Sequence, residues 1–330
     1  MNITIPMTAQ EALYQGLREE MQRDERVMIM GEGVATLHPD LVQSFGAQRV
    51  RNTPLSEAIV AGCAVGAAAS GLRPVIDMLY APFLTYAMDA LVNSAGKLRY
   101  MSGGQFSFPL VTLAQTGAGW GVGAQHSHNL EAWFVHCPGL KVLMPATPAD
   151  LKGLIKSAIR DDNPVVLLTD MTLGYQPGDV PTDPEHLVPI GQARVARAGR
   201  DLTLVSYSKA VHTCLAAAQA LAAQGVEAEV IDLRSLKPLD MATVLRSVRR
   251  TGRLMVVHEA GPLCGLGAEI AAQVAEQAFS ALRAPVRRIT SADVPTPASH
   301  ALEQAFAPGV DAIVEAALTL TQDPRPAQAA

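Results

Sequence analysis

Closely spaced cysteines are missing from this chain. Cys63, Cys137, Cys214 and Cys264 are scattered, without a CxxC or zinc spacing. Their apolar neighbours predict reduced thiols in a core. Basic excess is missing too: 26 Lys and Arg stand against 31 Asp and Glu, a formal net charge of −5, which argues against a nucleic-acid ligand. No apolar run reaches spanning length without polar breaks, so no membrane partner is expected. The opening MNITIPMTAQEAL has neither a signal-peptide core nor an arginine-rich transit character, and the expected location is cytoplasmic. Charge of either sign is scarce, 17% against 49% hydrophobic residues. So lean a surface predicts that a partner covers part of it.

The 330 residues allow two domains. Thr8 and Glu11 fit a capping box ahead of an amphipathic helix. Strands are expected at 26–30, QRVRNT, 73–79, 109–116, 140–146 and 164–170, with helices between them, including FLTYAMDALVNSAGKL and a helix capped by Thr147 and Pro148. Strands apolar on both faces and alternating with helices predict a parallel sheet covered by helices. GYQPGDVPTDPEHLVPIGQ reads as a linker. The alternation then resumes with DLTLVSYS, EAEVIDLRS, RLMVVHE and PVRRIT as strands. The expected organisation is two α/β domains, 1–185 and 186–322, with a disordered tail over 323–330.

In RNTPLSEAIVAGCAVGAAASGLRP, Glu57 is followed by no charged residue until Arg73. The segment has the composition of one buried on all sides, where a lone carboxylate is costly. Two readings stand: an acid complementing a helix N-terminus, with Ser56 or Thr53 as cap, or an acid kept for chemistry.

The glycine-rich GAGWGVGAQHSHNLEAW follows a strand, where open α/β sheets place ligand loops. Dinucleotide spacing fails, because Val122 and His126 stand where a further glycine or alanine is needed, and no Gly-Lys-Ser/Thr follows for a phosphate loop. His126 and His128 form an H-x-H pair, but no nearby ligand completes a metal site. The loop is either a flexible surface segment or one shaped around something.

MGEGV, TPLSEAIVAGCAVGAA, KLRYMSGGQ, GAQHSHNLEAWFVHCPGLKVLMPATPADLKGLIKSAIRDDNPVV and VIDLRSLKPLD resemble the beta subunit of the thiamine-diphosphate-dependent decarboxylating component of 2-oxo acid dehydrogenase complexes. Pyruvate, acetoin and branched-chain dehydrogenases belong to this group. The likeness runs from about residue 6 to 320. It implies a transketolase-like pyrimidine-binding domain followed by a transketolase C-terminal-like domain. It also implies an alpha2–beta2 heterotetramer, contact with a lipoyl acyltransferase core, and thiamine diphosphate with magnesium held mainly by the alpha subunit. The family's Gly-Asp-Gly…Asn diphosphate motif is absent: Gly178 and Asp179 are followed by Val180.

By the same resemblance, Glu57 is the carboxyl that hydrogen-bonds the aminopyrimidine and exchanges a proton, and His126 lines the substrate channel. Glu32, Leu55, Leu79 and Phe83 match cofactor contacts, while Tyr80, Pro82, Phe83 and His126 match the donor pocket. Leu110, Ala158, Ile159, Asp161 and Asn163 match a potassium site built mostly from carbonyls. Three departures bear on the substrate: GEG in place of GED with a shorter following loop, leucine where many relatives carry glutamine at Leu79, and LYAPF in place of an F-x-D-F pattern. The expected reaction is oxidative decarboxylation of a small, pyruvate-like 2-oxo acid, or acetoin cleavage, with reductive acylation of a lipoyl group. The rival readings are half of a split transketolase-like sugar-phosphate enzyme and a catalytically silent scaffold subunit.

Overall fold

The computed structural model describes residues 3–322, and the tail expected over 323–330 lies outside the described residues. The chain divides into two compact units. One comprises residues up to Gly117 together with Gln125–Ile190; the other comprises Ala118–Ala124 and residues from Gly191 onward.

The N-terminal part of the chain runs β1 (Thr4–Thr8), α1 (Ala9–Arg23), β2 (Val27–Gly31), α2 (Val34–Leu37), α3 (Pro39–Phe45), β3 (Val50–Asn52), α4 (Glu57–Ala69) and β4 (Arg73–Tyr80). A 3-10 segment (Ala81–Ala87), a π-helical segment (Asp89–Ala95) and α5 (Gly96–Met101) lead to β5 (Val111–Thr116). Then come α6 (Ala124–Ser127), α7 (Glu131–His136), β6 (Lys141–Leu143), α8 (Pro148–Arg160), β7 (Val165–Asp170) and β8 (Pro177–Pro181). Within the first unit, strands lie side by side in the order β6-β7-β5-β4-β2-β3 and pair in parallel. Strands β2, β5 and β7 are buried along nearly their whole length, as expected of a sheet covered on both faces. The chain steps from β2 to β3 on one side, then to β4 on the other side of β2. Open α/β sheets bind ligands beyond the strand C-termini at such a reversal.

Local sequence explains the helix starts. Thr8 Oγ1 accepts the Glu11 N–H at 3.2 Å, and Glu11 Oε2 accepts the Thr8 N–H at 2.8 Å, completing the capping box. Thr147 caps α8 through the Asp150 N–H, with Pro148 in the first turn. Helix α1 lies tightly on α8: a Cβ on Gly16 would meet Ile155 Cγ2 at 2.8 Å and Lys152 O at 3.0 Å.

The second unit contains β9 (Arg194–Arg197), β10 (Leu202–Ser206), α9 (Lys209–Ala222), β11 (Ala228–Asp232), β12 (Ser235–Lys237), α10 (Met241–Thr251), β13 (Leu254–Val257), α11 (Leu266–Ala278), β14 (Arg287–Ile289), α12 (His300–Phe306) and α13 (Val310–Gln322). Its sheet has the order β14-β13-β10-β11-β9, parallel except for β9.

Four expectations are corrected. The segment read as one helix, FLTYAMDALVNSAGKL, is divided among 3-10, π and α geometry. Here Gly139, at φ +87°, comes so close that an added Cβ would lie 1.7 Å from Gly96 O, a tertiary constraint that helical periodicity does not carry. The stretch read as linker contains β8, which pairs antiparallel with β1, Ile5 opposite Val180. All four cysteines are free, but only Cys137 and Cys214 are buried; Cys63 and Cys264 are exposed. Finally, α4 is not enclosed on all sides by the described residues: Ala58, Ile59, Gly62, Cys63 and Gly66 are exposed along one face.

Candidate active site

Beyond the C-termini of β2 and β4, at the reversal of strand order, lies a cavity of about 280 Å³, counting the space open to solvent. Glu32 follows β2; Thr53 to Ser56 connect β3 to α4, which Glu57 begins; Asp77, Met78 and Leu79 are the last residues of β4 before Tyr80; Phe83 comes from the 3-10 segment; all line it together with Val60. Thus Glu57, Glu32, Leu55, Leu79 and Phe83, which are far apart in sequence, share one wall. Glu57 is half-buried as the first residue of α4, and Ser56 makes no side-chain cap there. The α4 N–H dipoles therefore favour negative charge where the carboxylate stands. Asp77 went unnoticed in the sequence, where it reads as one polar residue inside a strand. Burial pushes its carboxyl upward, opposed by hydrogen bonds from the Leu79 N–H and the Tyr14 hydroxyl.

His126, on the short helix α6, joins an aromatic cluster. Its ring lies edge-on to Tyr80 at 4.9 Å and to Phe83 at 5.4 Å, and Tyr80 and Phe83 are edge-on at 5.6 Å. Phe83 belongs to both the cavity and the cluster, so it links the imidazole to the wall that carries Glu57. Pro82 is absent from the cavity wall; its carbonyl accepts the Thr85 hydroxyl at 2.8 Å. His128 is exposed. Among the described residues, no three His, Cys, Asp or Glu gather as a metal-binding group, and no helix is long and apolar enough to cross a membrane.

The glycine loop is held, not loose. Glu303, on α12 and 4% exposed, accepts the N–H groups of Gly119 at 2.8 Å and Gly121 at 3.0 Å. Glu259 accepts the Ala118 N–H at 2.6 Å, and the Lys209 ammonium donates to the Ala118 carbonyl at 2.8 Å. Positive φ values at Gly119 and Gly121 accompany the convergence of their two N–H groups on the single carboxylate of Glu303. Neither acid was foreseen, because each lies far along the sequence from the loop it holds.

Leu110, Ala158, Ile159, Asp161 and Asn163 gather around the C-terminal end of α8. Their groups already have partners. Arg73 Nη1 donates to Ile159 O at 2.8 Å and Asp161 O at 3.2 Å, and Arg99 Nη1 donates to Asn163 Oδ1 at 3.1 Å. Val165 N–H takes Leu110 O, Asp161 N–H takes Ala158 O, and Lys141 pairs with the Asp161 carboxylate. Burial would raise the Asp161 carboxyl, but bonds from Lys141 and Asn163 outweigh it and hold it below its usual range.

A family profile described as transketolase, pyrimidine binding domain matches residues 6–175, and one described as transketolase, C-terminal domain matches residues 191–313. The subunit beta of the pyruvate dehydrogenase E1 component of Rhizobium meliloti (strain 1021) is 46% identical over 316 residues, covering 94% of this chain and 69% of that protein. The mitochondrial E1 beta subunit of Drosophila melanogaster is 47% identical over 322 residues, covering 94% and 88%, and that of Bos taurus is 44% identical over 320 residues, covering 94% and 89%. The chain belongs to the transketolase-like family of 2-oxo acid dehydrogenase E1 beta subunits. A solved structure titled "Split gene transketolase, inactive beta4 tetramer" superposes with TM-score 0.80, covering 97% of this chain and 99% of that one. At 23% identity that likeness carries the fold alone.

Membership of the E1 beta family implies thiamine diphosphate. The cavity suits one end of that molecule: the Phe83 ring with Leu55 and Leu79 offers apolar surface to a flat heterocycle, and Glu57 offers a carboxyl to a ring nitrogen. It does not suit the diphosphate, because Glu32, Glu57 and Asp77 line it and no lysine, arginine or histidine does. For potassium the fit is incomplete, since Arg73 already spans two of the carbonyls.

Proposed function

We propose that this chain is the beta subunit of a heteromeric thiamine-diphosphate-dependent dehydrogenase that decarboxylates a small 2-oxo acid, pyruvate foremost, or cleaves acetoin, and passes the acyl group to a lipoyl arm. An alpha subunit would complete it as a heterotetramer and hold the diphosphate and magnesium. The reading rests above all on one observation: Glu57 and Phe83 line a single cavity whose wall carries no lysine, arginine or histidine. When bound, thiamine diphosphate supplies the electron sink for breaking a bond beside a carbonyl. The protein's part is proton handling and placement. Glu57 would hydrogen-bond the pyrimidine ring and move a proton at its carboxyl oxygen. His126 would hold or donate a proton on the donor side, its ring fixed by Tyr80 and Phe83. Those two rings also fill space that a branched or aromatic donor would need, and each extra methylene is worth only about 1–3 kcal/mol of discrimination.

The exposed face of α4 supports a partner. Gly62 and Gly66 have open space around them, so nothing among the described residues requires a glycine there. Each costs a helix roughly 1 kcal/mol against alanine, a cost explained where another subunit's backbone packs closely. The split-transketolase reading is supported only at the level of fold, and the cavity holds no basic group for a sugar phosphate.

The test is reconstitution with an alpha subunit and a dye-reduction assay on pyruvate, acetoin, 2-oxoisovalerate and phenylpyruvate. Pyruvate or acetoin should lead in kcat/KM, and Glu57→Gln should lower kcat about a hundredfold or more while the fold survives. Near-normal turnover by Glu57→Gln would reduce that residue to a helix-end acid. A complex inactive on all four donors would favour the scaffold reading.

A further inference from the structure

Strand β4 loses its register just before it ends. Asp77 stands opposite Leu113, but the next paired residue is Tyr80, opposite Gln115. Three steps on β4 thus answer two on β5, which is a bulge. Inside it Leu79 adopts φ +58°, a left-handed conformation that a bulky side chain takes only under constraint. Strain of this kind persists where the surroundings impose it, and it concentrates at ligand sites.

The constraint is identifiable. Asp77 Oδ1 accepts the Leu79 N–H at 3.0 Å, and Asp77 Oδ2 accepts the Tyr14 hydroxyl at 3.3 Å. The Tyr14 ring is in turn covered by His38, stacked at a centroid distance of 3.7 Å. Room for this arrangement comes from Gly31, where a Cβ would lie 2.4 Å from Asp77 O. No lysine or arginine pairs with Asp77 among the described residues. The molecule therefore keeps a half-buried acid, desolvated by its surroundings, for two hydrogen bonds, one of which closes on the strained residue of the cavity wall.

We infer that Asp77 is a positioning residue of this site: its carboxylate holds Leu79 in the left-handed turn, which sets Leu79 into the wall shared with Glu57 and presents Tyr80 to His126. The cofactor part of this inference rests on the thiamine-diphosphate reading; the backbone part does not. Asp77→Asn retains an acceptor for the Leu79 N–H, whereas Asp77→Val removes it at similar size.

Two measurements decide it. Crystal structures of the variant chains should show Leu79 relaxed to negative φ in Asp77→Val and left-handed in Asp77→Asn. In the reconstituted enzyme, Asp77→Val should raise the KM for thiamine diphosphate about tenfold, equivalent to roughly 1.4 kcal/mol, with kcat changed less than about threefold. Asp77→Asn should restore the KM. If Asp77→Val does not fold, Asp77→Ala serves in both measurements. A Leu79 that stays left-handed without its acceptor, or equal KM shifts in the variants with and without it, would overturn the inference. An enzyme inactive on every donor would sink the functional reading instead, leaving the backbone result to be judged separately.

Discussion

His258 shows how a single residue couples this fold to pH. It is fully buried, its Nε2 accepts the Gly267 N–H at 3.2 Å, and Tyr207 stacks alongside. Burial disfavours the imidazolium and pulls the group from 6.5 down to about 4. Between those values the unfolded chain binds the proton and the folded one does not. Stability is therefore retained above pH 6.5 and lost as pH falls toward 4, at up to about 1.4 kcal/mol per pH unit. Urea denaturation across this window should show a shallower pH dependence for His258→Gln than for the parent chain. An unchanged slope would mean that the carboxylates alone set the acid limit.

At the scale of the element, the α1–α8 pair carries several charges out of water. Glu19 meets the ammoniums of Lys152 at 2.8 Å and Lys156 at 2.7 Å, with those two side chains 1% and 0% exposed. Next to it, Glu20 receives Arg160 through both carboxylate oxygens. Lys152 also donates to Pro181 O, and Lys156 to Pro184 O, so the network ties the segment after β8 to the helix pair. Removing one partner of a buried pair costs about 3–5 kcal/mol, because the remaining charge stays desolvated. Glu19→Gln should lose stability of that order by chemical denaturation, whereas Arg18→Gln, whose partner Asp40 is exposed, should lose less than about 1 kcal/mol.

At the scale of the molecule, the proposed function makes the cavity half a site. Three acids line it and no cation does, so the isolated chain should bind thiamine diphosphate with magnesium no tighter than the millimolar range, about −4 kcal/mol. Calorimetry of the chain alone checks this, and submicromolar binding would end the two-subunit reading. The large exposed side chains Leu55, Ile59 and Tyr100, 71%, 64% and 90% exposed, fit a surface completed by other subunits.

The alternation of buried strands and helices was legible in the sequence, because both-face burial in a parallel sheet demands continuous apolar runs. The capping box at Thr8 and the Thr147–Pro148 start of α8 were legible too, since capping is a contact across three or four residues. Glu32, Leu55, Glu57, Leu79 and Phe83 were singled out through resemblance and not through spacing, and they share one cavity wall, whereas Asp77 of the same wall went unnoticed. What only tertiary structure decided are the contacts between distant residues. These are β8 paired with β1 inside an apparent linker, the broken helix beside Gly139, the exposed face of α4, and the Glu259 and Glu303 carboxylates on the glycine loop. The same holds for the Asp77 bond that turns Leu79. Periodicity records which face of an element is apolar, but it does not record which element covers that face, nor where a buried carboxylate finds its donors.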